Sequence, residues 1–361
     1  MLKIIHGADF HLDSPFSGLS PERAAQRRSE LRQLPQRLGQ LAREKGADLV
    51  LLSGDLLDGE YVYRETAEAL ARALGSFPCP VFIAPGNHDW WSERSLYAGM
   101  EWPEQVHIFH TSTPEGVELP ALNCTVWGRA FLGPHEEQSP LSGLTIPKDG
   151  RLHLGCFHGD LASQSQYGPI TREEIAASGL DYLALGHIHQ GSGLQREGQT
   201  FWAYPGCPEG RGFDETGEKG VLYIEAEPGC VSVQFVPLCQ RKYEILSVDV
   251  TGAADLAVAI RRALPPDASE HIFRVLLTGE GERPDLPSLE RNLAKECYGL
   301  TLRDHTCLPQ DLWARREEDS LTGLFLQAMW EKCQSEPDNP LYQLAVRYGL
   351  AALENREGGA L

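Results

Sequence analysis

Three features of the sequence predict an α/β chain. Strands and helices alternate through the first ninety residues, a strand-rich and turn-rich stretch runs to residue 240, and a second β-α-β-α-β pattern follows. The expected architecture is a β-sandwich of two sheets flanked by helices, then a small C-terminal α+β domain and terminal helices. The 361 residues are enough for one large and one small domain. Boundaries are expected at 1–240, 241–310 and 311–361.

Taken in order, residues 2–5 read as a strand, followed by the loop Gly7 to Pro15. Residues 21–45, rich in Arg, Glu, Gln, Leu and Ala, read as helix, which Pro35 should kink or split. Asp48 to Ser53 is a buried strand ending in Gly54-Asp55. Residues 61–75 form a helix with Gly75 as its stop. Pro80 to Pro85 is the third apolar run and leads into Gly86-Asn87-His88-Asp89. Continuous apolar strands of this kind argue for parallel pairing covered on both faces. Further strands are expected around 106–109, 123–128, 152–157 and 181–185. The stretch 193–238 alternates and is turn-rich, which predicts antiparallel hairpins. Beyond Arg241-Lys242, strands at 242–250, 272–278 and 300–305 alternate with helices at 253–264 and 286–297. Residues 318–354 read as two helices broken at Pro337-Asp338-Asn339-Pro340, and Arg356 to Leu361 as a frayed tail.

Composition narrows the function classes. No run approaches the ~18 apolar residues of a membrane span. Met1 to Ile5 is too short for a signal peptide, so a cytoplasmic location is the expectation. Nine cysteines, none in a Cys-x-x-Cys pair, read as buried free thiols, Cys79, Cys156 and Cys230 among them. The formal charge of −19 disfavours a protein that coats nucleic acid through a basic surface. It does not exclude an enzyme acting on nucleic acid.

Five apolar strands end in metal-type ligands. The first gives Asp9 and His11, the second Asp55, the third Asn87 and His88, the fourth His158, and the fifth His187 and His189. Loops at the carboxyl ends of parallel strands gather on one sheet edge, where α/β proteins place sites. With His88 aside, the donors are two carboxylates, one amide and four imidazoles. They oversupply one octahedral ion and suit two divalent ions sharing a bridging carboxylate. Nitrogen and oxygen donors without thiolate suit Mn, Fe, Co or Zn and disfavour Mg or Ca alone. Two such ions activate water and stabilise both the attacking and the leaving oxygen of a displacement at phosphorus. His6, His107, His110, His135, His153, His271 and His305 read instead as solvated or capped residues.

The series Asp9-Phe10-His11, Gly54-Asp55, Gly86-Asn87-His88-Asp89, His158-Gly159 and Gly186-His187-Ile188-His189 resembles the motif order of the calcineurin-like metallophosphoesterases. Asp9 to Phe16 is similar to the opening of the bacterial SbcD/YhaO-type DNA repair exonucleases. Tyr204-Pro205-Gly206-Cys207-Pro208, with Arg211 and Phe213, resembles their Y-P-G-S-P segment, with Cys207 where Ser is usual. The small second domain matches their capping domain in sequence position. The final helices match in location the segment by which relatives engage an SMC-like or AAA-type ATPase.

The resemblance implies a metallophosphoesterase fold and a set of roles. Asp9, His11, Asp55 and His189 would hold one ion, and Asp55, Asn87, His158 and His187 the other, most naturally Mn²⁺. His88 would contact the phosphate and protonate the leaving oxygen, because a ligating imidazole cannot also deliver a proton. Asp89 would orient His88, its other reading being a helix N-cap. Tyr204 and Arg211 are candidate contacts to a nucleic-acid backbone, Arg211 reading equally as a solvated charge.

Asp58 reads as a turn residue ahead of a partner to a ligand, and Asp13 is open between the same two. Gly54, Gly86 and Gly186 would allow close backbone approach. The charged helix from Arg23 to Arg43 reads as a solvated face. Trp90-Trp91 reads as packing ahead of base stacking.

These features support a metal-dependent phosphodiesterase acting on DNA, an exonuclease in DNA repair working with the ATPase partner. The resemblance leaves a homodimer open. The alternative is a phosphodiesterase for cyclic nucleotides or other small nucleotide esters. Gly59-Glu60 stands where protein phosphatases of the family carry Arg-Gly, which disfavours that branch. A scaffold without activity would have lost ligands, and every ligand position here is filled.

Overall fold

A computed structural model describes residues 1–59, 62–281, 284–308, 310–336 and 339–353. The expectations for Glu60 and Tyr61, for Pro337 and Asp338 at the helix break, and for the tail lie outside the described residues. The chain forms two compact units, Met1–Lys242 and Tyr243–Leu361.

The first unit opens with β1 (Leu2–Gly7), α1 (Pro21–Leu31), α2 (Leu34–Lys45), β2 (Leu49–Leu52), α3 (Arg64–Gly75), β3 (Val81–Ile83) and β4 (Val106–Ile108). It continues with β5 (Glu115–Leu119), β6 (Cys124–Gly128), β7 (Leu152–His158), α4 (Arg172–Ala177) and β8 (Tyr182–Gly186). β9 (Gln195–Glu197), β10 (Thr200–Ala203), β11 (Gly220–Glu227) and β12 (Cys230–Pro237) close it. As expected, the helix over 21–45 is split, and Pro35 falls in the first turn of α2, where its missing N–H costs nothing. Gly46 ends α2 in the left-handed conformation, φ 60°.

Among the described residues the strands form two six-stranded sheets, ordered β12-β11-β1-β2-β3-β4 and β5-β6-β7-β8-β10-β9. β1 to β4 run parallel, as do β6, β7 and β8. The hairpins β9–β10 and β11–β12 are antiparallel as expected. β10, however, also pairs with β8 in parallel. Its side chains explain this: Trp202 joins the core on one face and Ala203 the core on the other. A strand buried on both faces extends the inner sheet rather than hanging from its edge.

Side-chain alternation assigns each strand to two cores. Ile4, Leu49, Leu51 and Phe82 face Val126, Leu154, Cys156 and Ala184 between the sheets. Ile5, Val50, Leu52 and Ile83 point the other way, onto Leu31, Leu38, Leu70 and Leu74 of the helices. Phe157, Leu183 and Leu185 form a third layer with Ile175 of α4. This packing is what makes five parallel strands present their carboxyl ends together. Trp91 packs against the helix-side core, with its ring 5.7 Å from that of His110.

The helix from Arg23 to Arg43 is not only a solvated face. Arg27 is fully buried and donates to Glu30 (2.8 Å), Glu209 (2.9 Å) and the carbonyl of Gly210. Arg37 reaches Glu209 at 3.2 Å, and Arg241 holds Glu30. Glu209 also accepts the backbone amides of Gln240 and Arg241. Removing one partner of a buried ion pair strands the other charge at a cost of about 3–5 kcal/mol. Glu209→Ala is therefore expected to lower unfolding stability by that amount, measured by urea titration at pH 7. A change below about 1 kcal/mol, the level of exposed pairs, would show that the network is solvent-relaxed.

Other expectations need correction. Cys230 and Cys307 are exposed free thiols, whereas Cys79, Cys124, Cys156, Cys207 and Cys297 are buried; Cys230 begins an edge strand rather than filling a core one. His6, His153 and His271 are buried, while His110, His135 and His305 are exposed. His6 sits mid-strand because its ring is satisfied by the Tyr182 hydroxyl (2.9 Å) and the Leu185 carbonyl (3.1 Å).

The second unit starts with β13 (Tyr243–Asp249), α5 (Leu256–Ala263), β14 (Ile272–Thr278), α6 (Leu286–Leu293) and β15 (Gly299–Asp304). Its strands run parallel in the order β13-β14-β15. Val248, Phe273, Val275 and Leu302 pack against Ile260 and Leu293 of the two helices. α7 (Leu321–Ser335) and α8 (Pro340–Leu353) enclose Leu326, Met329, Val346 and Leu350. No helix among the described residues is long and apolar enough to cross a membrane.

Candidate metal centre

The loops after β1, β2, β3, β7 and β8 converge, and their backbones are unusual. Asp9 (φ 57°), His11 (φ 45°), Asp55 (φ 52°) and His187 (φ 106°) all lie in the left-handed region. Non-glycine residues adopt it at a cost that the surroundings must offset, and such strain clusters at functional sites. Gly86 and Gly186 permit the close approach. A Cβ on Gly86 would sit 2.3 Å from Asp55 Oδ1, and one on Gly186 would sit 1.9 Å from the Ser53 carbonyl.

Three groups of ion-sized spacing result: Asp9, His11 and His189; Asp55, His158 and His187; and His11, Asp58 and His88, with the ligand atoms of each within 4.8 Å of one another. Asp55 Oδ2 links the first two groups, 3.8 Å from His11 Nε2 and 3.5 Å from His158 Nε2. Asn87 Oδ1 faces His158 Nε2 at 2.9 Å and His187 Nδ1 at 3.1 Å. Asp9 accepts the amide of His187 at 3.0 Å, tying the first loop to the fifth.

Hydrogen positions test whether this set fits cations. His11 Nδ1 faces Asp58 (3.2 Å), His158 Nδ1 faces the Ser53 carbonyl (2.8 Å), and His189 Nδ1 faces Glu215 (2.7 Å). Carboxylates and carbonyls only accept, so each Nδ1 carries the hydrogen and each Nε2 a lone pair. These lone pairs face other acceptors: His11 Nε2 is 3.2 Å from His189 Nε2, and His158 Nε2 faces the Asn87 oxygen. Burial pushes His11, His158 and His187 down to about 4, which keeps the rings neutral at pH 7. Burial and the nearby charge of Asp55 push Asp9 well up, and Asp89 up as well. Crowded carboxylates and inward lone pairs without a shared proton are the chemistry of a cation cradle.

His88 belongs to the third group, which shares His11 with the cradle; its side chain is half exposed and its Nδ1 lies 3.1 Å from Asp58. The expectation that Asp89 orients His88 is corrected here. Asp89 is saturated by the amides of Gly86, Asp55, Leu56 and Leu57 and by the Tyr97 hydroxyl at 2.6 Å. It clamps the second metal-type loop to the third, and no helix follows Asn87 for it to cap. Asp58, read as a turn residue, is the buried carboxylate shared by His88 and His11. Burial alone would raise its pKa, but hydrogen bonds from both rings outweigh that and hold it well below the usual carboxylate range. The same hydrogen bond raises His88.

Asp58→Asn keeps an acceptor oxygen and removes the charge. A raised histidine stays protonated until pH climbs through its folded pKa. Losing the charge is expected to move the alkaline limb of the kcat profile to lower pH and cut kcat about tenfold at pH 8. An alkaline limb that stays in place would sever Asp58 from His88.

Tyr204 is also corrected. It is 3% exposed and donates to the Gly159 carbonyl at 2.7 Å, so it braces two loops rather than meeting a substrate. Arg211 is no solvated charge: it is held by Glu215 beside His189. Asp13 is structural, accepting from Arg32 and from the Tyr63 amide. Sequence reasoning missed Glu215, Tyr97 and Ser53. Each acts through a partner distant in sequence or through its backbone carbonyl, and no local spacing announces it.

The sandwich and its donor groups form the fold and the candidate metal centre of a metallophosphoesterase. The model of the calcineurin-like phosphoesterase family matches residues 2–191, and the chain belongs to that family. It is 31% identical over 276 residues to the uncharacterized metallophosphoesterase YhaO of Bacillus subtilis, covering 71% of this chain and 65% of that one. The match thus spans a little under two thirds of that relative. It is 27% identical over 284 residues to the DNA double-strand break repair protein Mre11 of Aeropyrum pernix, covering 73% and 68%. A solved dimetal phosphatase from Danio rerio aligns with TM-score 0.37 and 12% identity over 63% of this chain and 93% of that one, too distant a likeness to carry more.

Proposed function

We propose that the chain is a two-metal phosphodiesterase that hydrolyses DNA, an exonuclease in DNA repair working in the cytoplasm with an SMC-like or AAA-type ATPase. The observation that carries the chemistry is the inward set of lone pairs on His11, His158 and His189 around Asp55. Asp9, His11, Asp55 and His189 would hold one ion, and Asp55, Asn87, His158 and His187 the other. Mn²⁺ is the proposed metal, since the donors are nitrogen and oxygen without thiolate. When bound, the ions supply a water-derived nucleophile and charge stabilisation at phosphorus. His88, half exposed and paired with Asp58, would sit against the phosphate and give its proton to the leaving oxygen. Similarity to the DNA double-strand break repair protein Mre11 supports the polymer substrate.

The formal charge of −19 favours a second reading, a small nucleotide ester as substrate. The test is the purified chain with Mn²⁺ on linear double- and single-stranded DNA, beside bis-p-nitrophenyl phosphate, with a chelator control. Salt-sensitive cleavage of DNA and of the diester, both lost to chelator, is the expected result. Cleavage of the diester and of nucleotide esters with none of DNA, even with an ATPase partner added, would overturn the DNA reading.

A further inference from the structure

We infer that Glu215 is a positioning residue with two partners at once. It orients His189 for an ion, and it holds Arg211 so that the free amine of the guanidinium takes a phosphate oxygen of the substrate. The inference rests on the two-metal phosphodiesterase reading.

Glu215 is 4% exposed. Its Oε1 accepts from His189 Nδ1 at 2.7 Å and from Arg211 Nη2 at 2.9 Å. Its Oε2 accepts the Arg211 backbone amide at 2.7 Å, with Arg211 Nε at 3.5 Å. Because a carboxylate only accepts, this contact puts the hydrogen of His189 on Nδ1 and turns its Nε2 lone pair toward His11.

The guanidinium is a rigid planar fork. Its Nε and Nη2 edge is engaged by Glu215, and Nη2 packs 3.0 Å from His189 Nδ1, both atoms being donors. Nη1 has no hydrogen-bond partner among the described residues, and the side chain keeps 19% exposure. A fixed amine beside an ion ligand, with a path to solvent, suits an anionic oxygen that arrives with the substrate. The negative charge of Glu215 offsets the repulsion that a buried arginine would otherwise exert on bound cations.

The two halves separate experimentally. Metal-free wild type, Glu215→Gln and Arg211→Gln are titrated with Mn²⁺ by calorimetry, and inhibition of diester hydrolysis by inorganic phosphate is measured for each. Glu215→Gln is expected to weaken one of two Mn²⁺ constants about 10–100-fold and leave the other in place. Arg211→Gln is expected to bind Mn²⁺ no more weakly than wild type, while the phosphate inhibition constant and the diester KM rise about tenfold and kcat moves less. Unchanged Mn²⁺ constants in Glu215→Gln would overturn the orienting role. Unchanged phosphate inhibition in Arg211→Gln would overturn the phosphate contact. Circular dichroism checks folding, and should Glu215→Gln misfold, Glu215→Asp takes its place with the same expectations. Fewer than two Mn²⁺ bound by wild type would instead sink the two-metal reading beneath it.

Discussion

Asp55→Asn is expected to lower turnover of a phosphodiester on the order of a thousandfold while leaving the metal-free protein folded. Asp55 Oδ2 sits between the Nε2 atoms of His11 and His158, at 3.8 and 3.5 Å. Its Oδ1 accepts the His88 amide at 2.8 Å. Asn can keep that second contact through its own Oδ1, and its volume is nearly the same. What it loses is the single negative charge shared between the two donor groups. Several kcal/mol of transition-state stabilisation is the usual worth of such a centre, and each ~1.4 kcal/mol is a factor of ten in rate. In the metal-free protein the same charge raises both Asp9 and Asp89. Removing it therefore relieves repulsion, so the metal-free melting temperature is expected to hold or rise. The rise in melting temperature that saturating Mn²⁺ gives wild type is expected to shrink sharply. Thermal melts with and without Mn²⁺, run beside diester kinetics, check both halves. A variant within tenfold of wild-type turnover would remove Asp55 from the bridging position.

The fold was legible because its strands are apolar and bounded by glycine, proline or polar turns. The positions of the strands, and the parallel pairing of the first three, follow from continuous apolar runs such as Leu49–Leu52. The hairpin of β9 and β10 was legible, but the added parallel pairing of β10 with β8 was not, because a four-residue strand in a turn-rich stretch shows only its local partner. The donors were legible for a similar reason: each ends a strand, and strand ends share an edge. Their supports were not. Asp58 looks like any aspartate in a turn, Glu215 lies in a charged loop, and Asp89 stands next to the histidine it does not touch. Which carboxylate meets which imidazole depends on loop conformations that carry positive φ at Asp9, His11 and Asp55. Spacing along the chain does not encode those. Arg27 shows the same limit in the first unit, since a charge on a helix reads as solvated unless the buried Glu209, far along the chain, is already in view.

His88→Ala is the second large effect, and its pattern across substrates matters more than its size. A general acid contributes about 10²–10⁴ in rate, and most where the leaving oxygen is a poor one. The sugar oxygen leaving from DNA is such a group. The nitrophenolate leaving from bis-p-nitrophenyl phosphate departs readily without a proton. The expected result is therefore a loss of about 10²–10⁴ on DNA or a nucleoside alkyl ester, and a much smaller loss on the nitrophenyl diester. Mn²⁺ binding is expected to stay near wild type. The His88 side chain is half exposed, and its Nδ1 engages Asp58, not the inward lone pairs of the cradle. Its ring does meet that of His11 edge-on, 4.7 Å between centroids. Calorimetry on the variant thus separates chemistry from lost support to a ligand. Equal losses on both substrates with Mn²⁺ binding intact would mean that His88 stabilises charge on the phosphoryl oxygens without delivering a proton. Weakened Mn²⁺ binding would instead make His88 a brace for His11, and the proton donor would have to be sought elsewhere around the mouth of the site.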